Sequence, residues 1–190
     1  FIGKNLVCYL NEIQDFSVET FSRINSINEL PAMVERIDAI FHLAGENRSD
    51  NNEDFRKNNY ELTKSICDAV RNVSRKIPIV FASTTQAEYS NVYGESKREA
   101  ELALEKLSLD KGNPILIYRL PGVFGKWSKP NYNSVVATFC HNIANGLPIK
   151  ISDQSKVVTL VYIDDVVTEF IDSIKNPDKN KSMYSIYPEY

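Results

Sequence analysis

Histidine and cysteine are scarce in this chain of 190 residues. The two histidines, His42 and His141, and the three cysteines, Cys8, Cys67 and Cys140, show no metal-ligand spacing, and no C-x-x-C motif occurs. We therefore expect no metal site, and we expect His42, inside an apolar run, to be a hydrogen-bonded core residue. Each cysteine lies in an apolar helical context. We expect three buried free thiols, which favour a cytoplasmic location.

Long apolar runs and an excess of charge are missing as well. No run is long enough for a membrane-spanning helix, and no signal peptide pattern is present. A net charge of -3 gives no reason to expect nucleic acid or an anionic membrane as a partner. With 43% hydrophobic residues, the chain is long enough to form one globular domain around its own core.

Strand-length apolar runs alternate with helical periodicity along the chain, which predicts an α/β fold with a doubly wound parallel sheet. The predicted helices are Gly3 to Asn11, Phe55 to Val73, Tyr93 to Leu109, Asn133 to Asn145, and one capped by Asp164 or Asp165 that runs to Lys175. The predicted strands are Ser17 to Phe21, Asp38 to Ala44, Ile79 to Ala82, Ile115 to Tyr118, and Thr159 to Tyr162. Ligands bind such sheets at the carboxyl ends of the strands.

A glycine-rich loop is absent from the start of the chain. Phe1, Ile2 and Gly3 lead directly into the first predicted helix, and there is no initiator methionine. In dinucleotide-binding folds, the amides of such a loop and the N-terminus of the following helix hold the pyrophosphate. We therefore expect the first strand and its loop to precede this sequence in a longer protein.

Tyr93 and Lys97 are four residues apart and therefore share one face of a helix, just after a strand that leads into Ser83-Thr84-Thr85. On that face, the ammonium is expected to lower the phenol pKa from its free value of roughly 10 toward neutrality. The tyrosine then donates a proton to a carbonyl, while a hydroxyl from the strand end holds the same oxygen. The pattern predicts the proton-handling half of a ketone reductase.

Five blocks of the sequence resemble the extended short-chain dehydrogenase/reductases, which have a Rossmann-like fold. The blocks are Phe1-Ile2-Gly3, His42 to Gly45, Asn59 with Thr63, Thr84 with Tyr93 and Lys97, and Tyr162 to Asp165. The stretches Asn91 to Lys97 and Phe124 to Cys140 are similar to one branch, the CapF family of bacterial capsule-biosynthesis enzymes.

The resemblance implies NADPH-dependent reduction of the C4 ketone of a UDP-linked 4-keto-6-deoxy-N-acetylhexosamine. Residues 1–190 would then be part of a reductase domain, with a C-terminal zinc-dependent cupin domain elsewhere in the full protein.

The resemblance also implies roles for single residues. Tyr93 would protonate the C4 oxygen, Thr84 (or Thr85) would hydrogen-bond it, and Lys97 would hold the nicotinamide ribose. Asn59 would kink the neighbouring helix and fix its packing. The residues expected beside the cofactor are Gly3, Leu43, Ala44, Gly45 and Pro121, with Gly122 next to Pro121.

Arg23 bears on the choice of cofactor, because it follows the second predicted strand of the fold. An NAD enzyme places an acidic residue there on the ribose 2′-hydroxyl, whereas an NADP enzyme places an arginine on the 2′-phosphate. Glu19 lies inside the predicted strand, so we expect no acid near Arg23. The sequence predicts NADP over NAD, and an exposed surface arginine is the alternative.

The segment from Lys126 to Asn133 is rich in cations, aromatic rings and amides. Cations suit a diphosphate, rings stack on uracil, and amides reach the edge of the base. We predict substrate binding by Lys126, Trp127 and Asn133, with a structural aromatic loop as the alternative.

Other functions stay open beside the reductase. An NAD-dependent 4-epimerase would keep the same threonine, tyrosine and lysine, and a non-catalytic NADP-binding regulatory module would usually lose Tyr93 or Lys97. A 4,6-dehydratase is disfavoured, because Thr85-Gln86 stands where that chemistry needs two acids.

A homodimer is a further expectation from the resemblance. The helices Phe55 to Val73 and Tyr93 to Leu109 correspond to the pair that forms the dimer interface in many relatives. We expect Leu102, Leu104 and Leu107 to supply the apolar surface.

Overall fold

A computed structural model describes residues 1–13, 15–175 and 183–184 of the chain. Their backbone divides into two compact units. The sheet unit contains residues 19–119, 170–175 and 183–184, and the loop unit contains residues 1–13, 15–18 and 120–169. None of the described helices is long and apolar enough to cross a membrane.

A four-stranded parallel sheet forms the centre of the sheet unit. Its strands are β1 (Ile40–His42), β2 (Ile79–Thr84), β3 (Ile115–Leu120) and, later in the chain, β6 (Met183–Tyr184). They lie side by side in the order β1-β2-β3-β6, with Ile40 opposite Ile79. Every residue of β2 is buried, as expected for a strand that is covered on both faces. The predicted parallel α/β sheet is therefore confirmed.

The sheet unit also contains the helices α2 (Leu30–Val34), α3 (Asn52–Phe55), α4 (Leu62–Arg71) and α5 (Val92–Lys111). Residues of α2, α4 and α5 form the core with the strands. A π-helical segment, Arg56–Glu61, joins α3 to α4 without a break. The core contains Phe81 from β2, Val70 from α4 and Leu104 from α5. Helix α5 ends at Gly112, which has the left-handed backbone that favours glycine.

The loop unit contains α1 (Ile2–Ile13), α6 (Val135–Ala144) and a two-stranded parallel sheet of β4 (Gly122–Phe124) and β5 (Leu160–Tyr162). Val123 is paired with Val161 in that sheet. Helix α7 (Ile163–Lys175) follows β5 directly, so Asp164 and Asp165 lie in its first turn and do not cap it as predicted. Helix α6 ends near Gly146, whose φ is +64°.

The predicted strand Ser17 to Phe21 is wrong, since no strand forms there. Alternating residues make a strand only where a neighbouring strand completes the hydrogen bonds. Within the part of the chain that the structure describes, β1 is paired with β2 alone.

The burial of three cysteines is also wrong, because only Cys67 is buried. Cys8 is half-buried and Cys140 is exposed, since each lies on a helix face turned away from the core. Leu104 and Leu107 likewise differ from the prediction. Both are fully buried in the core, which leaves Leu102 as the exposed leucine of the three expected at a dimer surface.

Candidate active site

The end of β2 and the start of α5 are held together by a tight turn. A 3₁₀ turn, Thr85–Glu88, links them, and the Thr84 hydroxyl accepts a hydrogen bond from the Gln86 backbone N–H at 3.2 Å. Asn91 caps α5 by accepting a hydrogen bond from Gly94 N–H at 2.8 Å. The geometry brings Thr84 and Tyr93 side by side, as the sequence spacing predicted.

Tyr93 is paired with Thr84 but retains its proton strongly. Burial raises the pKa of Tyr93, and a hydrogen bond with the Thr84 side chain opposes that rise only in part. Because Thr84 accepts from Gln86, its hydroxyl proton remains available for the phenol oxygen. The predicted lowering of the Tyr93 pKa by Lys97 is therefore wrong, since burial outweighs the opposing effect.

Lys97 lies one turn further along α5 and is buried. Its Nζ donates to the Ala82 carbonyl oxygen at 2.7 Å and lies 4.1 Å from the centre of the Phe81 ring. Burial lowers the pKa of Lys97 to about 7, while the charge of Glu101 raises it. An ammonium has three donors, and Ala82 accepts the single hydrogen bond that we find for Lys97 among the described residues. Donors therefore remain for ribose hydroxyls, so the residues present fit a nicotinamide nucleotide.

Asn59 ties the loop after β1 to α5. Its side-chain oxygen accepts from Glu46 N–H at 2.8 Å, and its amide donates to the Glu46 carbonyl and to the Ser96 hydroxyl, both at 2.9 Å. A Cβ on Gly45 would lie 2.7 Å from the Asn59 oxygen and 3.6 Å from Lys97 Nζ. Glycine is therefore required for the close approach of this loop. Asn59 lies within the π-helical segment, and its contact with Ser96 agrees with the packing role that the resemblance implied.

The residues that directly follow β1 are accessible, as a surface for a cofactor must be. Leu43 is half-buried, and Ala44 and Gly45 are exposed. His42, the last residue of β1, is buried and hydrogen-bonded to Thr63 Oγ1 at 2.7 Å, as predicted for a core residue. Since the Thr63 hydroxyl donates to the Asn59 carbonyl, His42 Nε2 donates to Thr63.

Arg23 does have an acid beside it, contrary to the prediction. Its guanidinium forms an ion pair with Glu46 at 2.9 Å. Glu46 follows β1, so reasoning from the second predicted strand alone could not find it. The Arg23 side chain is 84% exposed, which leaves it free to contact a further anion.

In the loop unit, two lysines meet one indole ring. Lys4 Nζ lies 4.2 Å and Lys126 Nζ lies 4.5 Å from the centre of the Trp127 ring. The buried Asn5 amide donates to the Lys126 carbonyl at 2.9 Å and so fixes the segment to α1. Trp127 has a φ of 67°, a rare backbone conformation for a bulky residue that is often found at functional sites. The sequence did not indicate Lys4, although it directly follows Gly3.

A pocket of about 400 Å³ lies within the loop unit. Its lining includes Phe124, Ser128 and His141. Asn133 is exposed and immediately precedes Ser134, the N-cap of α6. Gly3 lies in the first turn of α1, and Pro121 and Gly122 lie between β3 and the rest of β4.

A buried charge network next to Thr84 was not predicted. Glu101 is completely buried and accepts hydrogen bonds from Ser83, Arg98 and Arg119. The spacing was visible in the sequence, because Glu101 stands four residues after Lys97 and therefore on the same helix face.

Known proteins resemble the chain over its whole length. Residues 1–186 match the NAD dependent epimerase/dehydratase family. The chain is 48% identical to UDP-2-acetamido-2,6-beta-L-arabino-hexul-4-ose reductase of Pseudomonas aeruginosa, over 100% of the chain and 51% of that relative. It thus spans about half the length of the curated relative that it matches.

Solved structures are also similar to the chain. The capsular polysaccharide assembling protein CapF of Staphylococcus aureus has a TM-score of 0.83 at 34% identity, with 100% of this chain and 51% of that chain covered. UDP-N-acetylglucosamine 4-epimerase of Methanobrevibacter ruminantium also has a TM-score of 0.83, at 19% identity over 98% of this chain and 73% of that one, and shows the shared fold.

Proposed function

This chain belongs to the NAD-dependent epimerase/dehydratase family, and from that premise we propose that it reduces the C4 ketone of a UDP-linked 4-keto-6-deoxy-N-acetylhexosamine with NADPH. The observation that carries the proposal is the pairing of the half-buried Tyr93 with Thr84 at the end of β2, one helical turn from Lys97. The reductase of Pseudomonas aeruginosa, at 48% identity, supports the same chemistry.

When bound, the nicotinamide nucleotide supplies the hydride. Tyr93 donates the proton to the C4 oxygen, and Thr84 hydrogen-bonds that oxygen as charge develops on it. Lys97 holds the ribose hydroxyls with the donors that Ala82 leaves free. Leu43, Ala44 and Gly45 would line the cofactor site, and Gly3 and Pro121 are the further contacts that we assign to the cofactor.

The protonated state of Tyr93 agrees with a reductase. Burial raises the pKa of Tyr93, so at neutral pH the side chain carries the proton that a reductase must donate. A 4-epimerase also returns a proton to a C4 ketone, so the net consumption of the reduced cofactor, and not the protonation of Tyr93, separates the two enzymes.

The test of this proposal is oxidation of NADPH by the full-length protein, followed by the absorbance of the reduced nicotinamide. The substrate is a UDP-4-keto-6-deoxy-N-acetylhexosamine made in place by a 4,6-dehydratase. We expect stoichiometric oxidation that Tyr93→Phe abolishes while cofactor binding persists. Tyr89→Phe, at an exposed position four residues earlier, is the matched control and should keep full turnover. Conversion of the ketosugar to an epimer without net oxidation would contradict the reductase.

We further propose that Arg23 binds the 2′-phosphate and gives the preference for NADP over NAD. Arg23→Ala should raise KM for NADPH about tenfold or more, because a charge-assisted hydrogen bond is lost, and leave KM for NADH unchanged. Arg36→Ala is the control, since Arg36 is an exposed arginine of the same unit that pairs with Glu19. An equal change for both cofactors would remove the assignment.

The UDP part of the substrate is assigned to the loop unit. Lys126 supplies charge for the diphosphate, Trp127 a ring for the uracil, and Asn133 an amide for its edge. Lys126→Gln should raise KM for the sugar nucleotide and leave KM for the cofactor unchanged, with Lys150→Gln, an exposed lysine of the same unit, as the control.

The remaining expectations about the whole protein are proposals too. A homodimer through α4 and α5 would cover Leu102, which is 49% exposed, and Leu109, which is 88% exposed. Sedimentation of the full-length protein at the monomer mass would contradict the dimer. The partial reductase domain, the C-terminal cupin domain and the cytoplasmic location stay predictions.

A further inference from the structure

The buried carboxylate of Glu101 lies at the point where β2, α5 and β3 meet. One oxygen accepts from the Ser83 hydroxyl at 2.5 Å and from Arg119 Nε at 3.0 Å. The other accepts from an Arg119 terminal nitrogen at 2.6 Å and from an Arg98 terminal nitrogen at 2.8 Å. The carboxylate thus joins one residue from each of the two strands to the helix that carries Tyr93.

Ser83 stands between the two residues of β2 that touch the reacting groups. The carbonyl of Ala82 accepts from Lys97, and the side chain of Thr84 meets Tyr93. Anchoring Ser83 to Glu101 therefore fixes the position of the strand end along α5. A shift of this strand end would move both contacts together.

Glu101 also contributes charge. Among the described residues it is the one carboxylate that is fully buried. Burial raises the pKa of Glu101, but the hydrogen bonds from Arg119, Ser83 and Arg98 outweigh burial, so the group stays ionised. That charge opposes the effect of burial on Lys97.

Resting on the function proposed above, we propose that Glu101 is a positioning residue of the reaction: through Ser83 and Arg119 it holds Thr84 and Lys97 in register with Tyr93. The residue touches neither substrate nor cofactor. Its effect reaches the chemistry through the strand end and through the charged state of Lys97. Among the described residues, the groups that interact electrostatically with Lys97 are Glu101 on α5 and His42 on β1, which burial keeps neutral; Tyr93 precedes Lys97 by one turn, and Arg98 and Arg119 are bonded to Glu101.

Three variants of the full-length protein test this assignment. Glu101→Gln removes the charge and keeps the size of the side chain. Ser83→Ala removes the link to β2 and keeps the charge. Glu105→Gln is the matched control, because Glu105 lies one turn further on the same helix and pairs with Arg98 at 3.3 Å but has no hydrogen bond to β2 or β3 among the described residues.

Glu101→Gln should lower kcat about tenfold or more, because a misplacement of the reacting groups is costly, with KM changed less. The alkaline limb of the kcat–pH profile of Glu101→Gln should move to lower pH by about one unit, because the Glu101 carboxylate that favours the protonated form of Lys97 is gone. Ser83→Ala should lower kcat without moving that limb, and Glu105→Gln should match the wild type. A wild-type kcat and pH profile in Glu101→Gln, even with a lower melting temperature, would mean a purely structural role and overturn the proposal.

The proposal stays testable if Glu101→Gln does not fold or if the wild type does not turn over. If Glu101→Gln does not fold, Ser83→Ala carries the test, and a wild-type kcat in that variant overturns the proposal. If the wild type shows no ketoreductase turnover, the proposed function fails. The positioning role of Glu101 is then tested by binding of the reduced cofactor, which is followed by its fluorescence across pH. A shift of the binding curve in Glu101→Gln, absent in Glu105→Gln, upholds the positioning role, and identical curves overturn it.

Discussion

Gly94 should tolerate alanine poorly, although it lies inside a helix. At an ordinary interior position, alanine is favoured over glycine by about 1 kcal/mol. Here a Cβ would lie 2.1 Å from the Gln86 carbonyl oxygen and 2.9 Å from that of Tyr89. Both atoms belong to the backbone of the turn between β2 and α5, so no side chain can rotate away. Either the turn or the first turn of α5 has to retreat by about 1 Å.

The size of the effect follows from two opposing contributions. Overpacking costs about 1–3 kcal/mol, and a 2.1 Å contact with backbone that cannot rotate away places Gly94 in the upper half of that range, at about 2–3 kcal/mol. The helix propensity of alanine offsets about 1 kcal/mol of it. We expect Gly94→Ala to lower the free energy of unfolding by about 1–2 kcal/mol, which corresponds to a melting temperature lower by about 2–8 °C. Because Gln86 is hydrogen-bonded to Thr84, the displaced turn should carry Thr84 with it and lower kcat by up to about 100-fold.

Thermal unfolding and steady-state NADPH oxidation of the full-length protein measure both effects. Glu95→Ala is the matched control, since the next residue of α5 is exposed and its replacement should change stability by less than about 0.5 kcal/mol. A Gly94→Ala variant that is as stable as the wild type and turns over at the wild-type rate would refute this reasoning.

Three more predictions concern buried polar groups and thiols. Asn59→Leu should lower the free energy of unfolding in urea by about 2–4 kcal/mol, because the backbone N–H and carbonyl of Glu46 lose their hydrogen bonds to the Asn59 side chain. A loss below about 0.5 kcal/mol would contradict this. Burial and the charge of Lys97 lower the pKa of His42 to about 3 from its ordinary 6.5, so stability should be full above pH 6.5 and fall as the pH drops toward 3. His42→Gln should flatten that slope, and an unchanged slope would exclude His42 as its cause. An aromatic disulfide reagent should modify the exposed Cys140 rapidly and the buried Cys67, whose pKa burial raises to about 11, only on unfolding; Cys140→Ser should abolish the fast phase.

The sequence predicted most of the sheet because its central strands are apolar on both faces. Ile79 to Ala82 and Ile115 to Tyr118 could be read without any partner in view, since continuous apolar runs mark a covered parallel strand. Ser17 to Phe21 could not, because its alternation says nothing about a neighbour that completes the hydrogen bonds. Strand existence is a property of pairs.

Spacing located the site but did not give its electrostatics. The four-residue interval fixed Tyr93 and Lys97 on one face, and the resemblance added Thr84. The direction of the Tyr93 pKa depends on burial, which no local pattern reports, and the ammonium was found on the Ala82 carbonyl. The ion pair between Arg23 and Glu46 could not be predicted either, because the fold brings together two residues that are 23 apart in the chain.

In the π-helical segment Arg56–Glu61, the number of residues determines how α4 is rotated relative to α3. A π turn holds more residues than an α turn, so the faces of α3 and α4 differ in phase by about one residue, or roughly 100° of rotation. That offset lets Phe55 face Tyr93 at 6.0 Å while Asn59 reaches Glu46 and Ser96. Substituting an exposed residue such as Lys57 leaves the phase intact, whereas deleting it would restore a regular helix and turn Asn59 away from its partners. The segment is therefore a frame in which the number of residues, more than their identity, is what selection has to preserve.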